Sequence, residues 1–67
     1  MTTSEFKPGI DLMANGIAVR LVSFVETIGD NHYWWCEKLF IEHPDAVMLA
    51  FPEHGIYRKL HTQRNAA

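Results

Sequence analysis

His32-Tyr33-Trp34-Trp35-Cys36-Glu37-Lys38-Leu39-Phe40-Ile41 holds both tryptophans, one of the two tyrosines and the only cysteine of this 67-residue chain. With the period of two that a strand imposes, His32, Trp34, Cys36, Lys38 and Phe40 fall on one side and Tyr33, Trp35, Glu37, Leu39 and Ile41 on the other. Both sides are largely apolar. A strand covered on both faces in so short a chain predicts a curled sheet, one face lining the core and the other covered by a terminus, a loop or another chain. By weight of apolar neighbours, Trp35 is expected inward with Leu39 and Ile41, which leaves Trp34 outward beside His32 and Cys36.

Immediately upstream, Ile17-Ala18-Val19-Arg20-Leu21-Val22-Ser23-Phe24-Val25 predicts a strand with Ile17, Val19, Leu21 and Val25 on one face. Its β-branched density favours strand over the helix that Ile17, Leu21, Phe24 and Ile28 would also permit. Gly29-Asp30-Asn31 turns this strand back into the aromatic one. Asn15-Gly16 is the strongest two-residue hairpin signal, since both residues accept positive φ, and it joins the long strand to a short apolar one over residues 10–13. Ahead of that, Phe6-Lys7-Pro8-Gly9 is an aromatic anchor followed by a turn.

Downstream, Glu42-His43-Pro44-Asp45 reads as a polar loop, because Pro44 cannot donate to a ladder. Ala46-Val47-Met48-Leu49-Ala50-Phe51 is a fourth strand with Val47, Leu49 and Phe51 inward. Pro52-Glu53-His54-Gly55 is a turn of 3₁₀ type, and Ile56-Tyr57-Arg58-Lys59-Leu60 is a closing strand. The domain is expected over residues 6–61, with frayed or flexible tails at 1–5 and 62–67. Five short strands punctuated by turns read as all-β, a sandwich or a small barrel, and closure would remove the sheet edges.

The composition bounds the function. At 48% apolar and 12% aromatic the chain is a folding one, yet its length leaves little room for an elaborate active site. A single cysteine makes no intramolecular disulfide, which points to a reducing compartment and the cytoplasm. Neither a signal peptide nor an apolar run near the ~20 residues of a membrane span is present, so no membrane partner is expected. A formal charge of −2 provides no general attraction to nucleic acid.

Phe6-Lys7-Pro8-Gly9, a short strand, a turn, an apolar strand, a cysteine-containing aromatic strand and Phe51-Pro52 ahead of a closing strand with Leu60 resemble the small YodC-like bacterial proteins. Those are compact chains of unknown molecular function. The chain departs from that pattern in two places, with Gly9-Ile10-Asp11 where the family has Gly-Asp and Trp34-Trp35-Cys36-Glu37 where it has Cys-x-Trp-Phe. More broadly, the order of long hairpin, third and fourth strands, turn and short last strand is similar to SH3-like barrels. The resemblance implies a small five-stranded SH3-like barrel with a short 3₁₀ turn before the last strand. That fold hosts many functions and selects none.

Reactive chemistry is sparse. His32, Cys36, His43, His54 and His61 are potential metal ligands by type, but no Cys-x-x-Cys or His-x-x-x-His pair aligns them. Cys36 as a nucleophile needs a cationic neighbour, and His32 stands about 13 Å along the same strand face. The SH3-like type II dihydrofolate reductases carry Val-Gln-Ile-Tyr where this chain has Val47-Met48-Leu49-Ala50, without the amide and the phenol that orient the substrates. No enzyme, cofactor or metal is therefore expected. The expectation is a small protein-binding module or inhibitor, of the kind common among phage and plasmid accessory genes, contacting its partner through Trp34, Tyr57, Arg58, Lys59 and Arg20. The alternative is a single-stranded nucleic-acid binder in which outward aromatics stack bases while Arg20, Lys38, Arg58, Lys59 and Arg64 contact phosphates. The two-sided apolar strand is also compatible with a homodimer.

Overall fold

In the computed structural model, which describes residues 1–61, the aromatic stretch forms β3 (Asn31–Lys38) between β2 (Ile17–Ile28) and β4 (Ala46–Pro52). β1 (Asp11–Ala14) precedes them and β5 (Arg58–Lys59) follows. All five pair antiparallel in one sheet of order β4-β3-β2-β1-β5. Asn15 and Gly16 both take positive φ (50° and 78°), so Ala14 pairs with Ile17 through the two-residue turn that the sequence predicts.

The expected barrel is not closed. β4 and β5 remain the two edges, with no ladder between them among the described residues. The chain leading out of β4 pairs elsewhere: Ile56 bridges Thr2, the Tyr57 N–H donates to the Met1 carbonyl (2.7 Å), and the Met1 amino group donates to the Tyr57 carbonyl (2.8 Å). Residues 1–5, expected to fray, are thus tied down. Thr3–Glu5 form the 3₁₀ segment of the structure, Thr3 is buried, and its hydroxyl donates to the Glu53 carbonyl. The 3₁₀ turn expected at residues 52–55 is a single hydrogen-bonded turn, Gly55 N–H to Pro52 carbonyl (3.0 Å). The expected tail at 62–67 lies outside the described residues.

Inside the sheet, the tryptophans are reversed from expectation. Trp34 is buried (7% exposed) and Trp35 points out (43%). Two facts decide this. β3 ends at Lys38 with one further bond, from the Leu39 N–H to the Ala18 carbonyl (2.8 Å), and Phe40 then adopts φ 60° and is 80% exposed, so Ile41 does not extend the strand face expected to hold Trp35 inward. Cross-strand register then aligns Cys36 with Leu21 and Val47, and Trp34 with Phe24 and Leu49, making that side the core.

β2 carries two register shifts against β3, at Leu21/Ser23 and at Phe24/Glu26. Each inserts one residue, Val22 and Val25 respectively, and a bulge of this kind reverses side-chain alternation while it bends the strand. The first puts Phe24 on the same side as Trp34, edge-on to it at 5.5 Å between ring centroids, at the rim of the core where it remains 51% exposed. The second leaves Val25 out of the inward row predicted for it.

Leu12, Val19, Leu21 and Cys36 are fully buried, and Phe51 is 1% exposed. Phe6 covers them, meeting Trp34 (6.1 Å), Phe51 (5.0 Å) and Tyr57 (5.5 Å). Cutting Trp34→Ala therefore removes a core side chain and is expected to cost about 3–5 kcal/mol, whereas Trp35→Ala is expected to stay within about 1 kcal/mol. Urea unfolding of the two variants checks this, and equal losses would contradict the burial pattern.

Candidate functional site

The sequence-predicted contact residues do not form one surface. Trp34 is in the core. Tyr57 is half-buried between Phe6 and Phe51 (ring centroids 5.5 and 5.2 Å), and desolvation pushes its phenol pKa up. Arg20 is not a free cation. Its Nε and Nη2 donate to the two carboxylate oxygens of Asp11 (2.7 and 3.0 Å), a two-point fork across the β1–β2 hairpin. Asp11 is buried, and the pairing raises the Arg20 pKa through that hydrogen bond. Arg58 and Lys59 are exposed, but they form β5 at the far edge of the sheet from β3. Lys59 lines a hollow of about 590 Å³ with Met1, Ser4, Glu5, Lys7 and Ile10, where the Glu5 carboxylate, its pKa lowered chiefly by the hydrogen bond from the Thr2 N–H, also interacts with the Met1 amino group and Lys59. Arg64 lies outside the described residues.

The groups considered for metal or nucleophilic chemistry are also kept apart. The His32 Nδ1 is hydrogen-bonded to the Thr27 hydroxyl (2.8 Å). His54 extends into solvent with its side chain 93% exposed, 3.6 Å from its neighbour Glu53. Among the described residues, no cluster of three or more His, Cys, Asp or Glu gathers in metal-binding reach. Cys36 is fully buried, its thiol donating to the Trp34 carbonyl (3.6 Å), and desolvation pushes its pKa up from 9.0 to about 11.

What the sheet does assemble is an outward face. On the side away from the core, β2, β3 and β4 set up cross-strand rows: Ser23, Trp35 and Met48 in one, Glu26, Tyr33 and Ala50 in the next, and Arg20, Glu37 and Ala46 on the other flank. Trp35 and Met48 are directly opposite each other and exposed at 43% and 50%. Val22 and Val25, presented at the two bulges, add exposed apolar surface on β2. Met48 has the parity opposite to the inward set Val47, Leu49 and Phe51 that the sequence predicts for β4. The signal was present, since a strand with apolar residues at both parities has two apolar faces. No helix among the described residues is long and apolar enough to cross a membrane.

Comparison with family models, curated proteins and solved structures finds no match.

The thiol gives a direct check on this arrangement. A folded-state pKa raised above the unfolded one stabilises the fold below the unfolded value and loses that contribution as pH climbs toward the folded value. Stability is expected to fall between 9.0 and about 11, with a smaller fall in Cys36→Ala. Alkylation near pH 8 is expected to track global unfolding. Labelling faster than the unfolding rate would show that Cys36 is reachable in the native state.

Proposed function

We propose that this chain is a small, non-enzymatic protein-binding module of the SH3-like kind, acting by occupying a partner's surface with the outer face of β3 and β4. The observation that carries the reading is the Trp35–Met48 pair. A tryptophan held at 43% exposure on a rigid central strand, opposite a half-exposed methionine, contributes little to the core and leaves a large apolar area in water. Tryptophan is among the residues that most often anchor protein interfaces, and methionine adapts its shape to whatever lies against it. The surrounding polar residues, Ser23, Glu26, Arg20 and Glu37, form the wet rim such an anchor needs.

The strand order supports the SH3-like reading: a long β2–β3 hairpin, a fourth strand, a turn, and a short last strand beside β1. The nucleic-acid alternative draws less from the same face. Arg20 is committed to Asp11, Arg58 and Lys59 stand on β5 away from Trp35, and Lys38, at the end of β3 opposite buried Val19, has the parity opposite to Trp35, so exposed aromatics and cations are not interleaved on the outer face.

Pull-down with the immobilised protein, followed by affinity measurement on the captured partner, tests the proposal. Trp35→Ala is expected to weaken capture by about thirtyfold, corresponding to ~2 kcal/mol for an interface anchor. Met48→Ala should weaken it less, and Arg58→Ala or Lys59→Ala hardly at all. Capture by Trp35→Ala at wild-type strength would refute the assignment. A steep loss of affinity with added salt would point instead to phosphate contacts.

A further inference from the structure

β4 is an edge strand, and the hydrogen bonds at its ends determine which of its backbone groups are free. The Lys38 N–H donates to the Asp45 carbonyl (3.4 Å) and the Glu53 N–H to the Asp30 carbonyl (2.6 Å). Hydrogen-bonded pairs alternate along an antiparallel ladder. With the observed register, Val47, Leu49 and Phe51 direct N–H and C=O to β3, while Ala46, Met48 and Ala50 direct theirs away from the sheet. Among the described residues, no other backbone group reaches these three.

The two edges are built differently. β5 is two residues long and both are charged, which are the devices natural sheets use to prevent edge pairing. β4 is seven residues long and carries no charge between Asp45 and Glu53. Pro52 is its last residue and Pro44 stands two residues before it begins.

We propose that β4 pairs antiparallel with β4 of a second copy of this chain, with Met48 on the two-fold axis. The sequence around the edge nearly mirrors itself about that residue: Glu42-His43-Pro44-Asp45-Ala46-Val47-Met48-Leu49-Ala50-Phe51-Pro52-Glu53-His54. In this register Ala46 falls opposite Ala50, Val47 opposite Leu49, and Met48 opposite its own copy; Asp45 opposite Phe51 is the one unmatched pair. Pro44 falls opposite Pro52, so the two ladder positions without an N–H coincide and the ladder ends without a wasted partner. Beyond these prolines the chain bends over residues 41–43 and turns at Glu53 and His54, so the pairing is confined to the strand. Moving the axis by one residue breaks the match. With Leu49 on the axis, Pro52 faces Ala46 and Asp45 faces Glu53; with Val47 on it, Pro44 faces Ala50.

The outer face fits the same geometry. Met48 is the cross-strand partner of Trp35, so the two-fold axis aligns Trp35, Met48, Met48 and Trp35 from the two copies in one row across the joined sheet. An unrelated extended segment would share neither the mirrored prolines nor the mirrored small and branched residues between them. The pairing does not depend on what the Trp35 face binds.

Sedimentation equilibrium of the full chain over a range of concentrations reads the association, and amide exchange reads the register. The wild type is expected to dimerise, with the Ala46, Met48 and Ala50 amides slowing as concentration rises. Met48→Pro removes an N–H that β3 does not use and is expected to weaken the dimer by at least about thirtyfold, because each copy loses a donor. Ala50→Lys places a charge on the same edge without altering the backbone, is expected to give a folded monomer, and decides the case if Met48→Pro does not fold. In a Cys36→Ala background, M48C is expected to cross-link two chains, since hydrogen-bonded antiparallel partners are about 5.5 Å apart at Cα. A wild type that remains monomeric to about 1 mM, or a dimer unaffected by both edge substitutions, overturns the proposal. Trp35→Ala leaves the β4 backbone intact, so loss of partner capture and loss of dimer are read separately.

Discussion

The Phe6 ring is the constraint on which the rest of the structure depends. It belongs to no strand, yet it meets Trp34 from β3, Phe51 from β4 and Tyr57 from the segment entering β5. The contacts with Trp34 and Phe51 are edge-to-face and the one with Tyr57 is tilted (56°), and edge-to-face pairs are worth roughly 0.5–1.5 kcal/mol each beyond the area they bury. That is a large share of the stability available to a chain of this length. Because the sheet is open, something outside it must cover the core and bring its two ends together. Phe6 does so only because the residues before it are pinned, by the 3₁₀ hydrogen bond from the Phe6 N–H to the Thr3 carbonyl (3.2 Å) and by the reciprocal Met1–Tyr57 pair. Residues that look small, polar and idle in the sequence hold the ring that seals the fold.

Much of the sheet was legible before any coordinates. Asn15-Gly16, Gly29-Asp30 and Pro52 to Gly55 mark turns for reasons internal to those residues, and the strands between them follow from β-branched and aromatic density. Strand parity is a different kind of information. Trp34 and Trp35 have nearly identical claims on the core, and the choice depends on where β3 ends and on what β2 and β4 present beside it. The left-handed conformation of Phe40, which turns Ile41 away from the strand, is unfavourable for its residue type and leaves no trace in composition. The bulges at Val22 and Val25 are equally silent, since valine fits a regular strand as well as an irregular one. Closure failed as an expectation because it required residues 56–57 to continue the sheet toward β4, and the N-terminal segment takes them first.

The site shows a complementary split. Arg20 reads as a free cation only while Asp11 is ignored, although the Asn15-Gly16 hairpin already settles their relation. If Ala14 pairs with Ile17, then Asp11 must pair with Arg20 three steps further along the ladder. That ion pair was derivable from the turn alone. The Trp35–Met48 row was not, because it requires the register of β3 on β4 across a loop that has no such fixed geometry.

A chain of 67 residues buries only about 60% of the surface its unfolded form exposes, so apolar area left in water is costly relative to its total stability. The two-sided apolar character of β3 resolves into a division between its faces. Trp34 and Cys36 are spent on the core, and Trp35 is left on a surface that continues across Met48 to the free backbone of β4. The exposed face and the unprotected edge thus meet at one residue. Whatever covers that place adds buried area to a fold with little to spare, and folding and association there draw on the same strands.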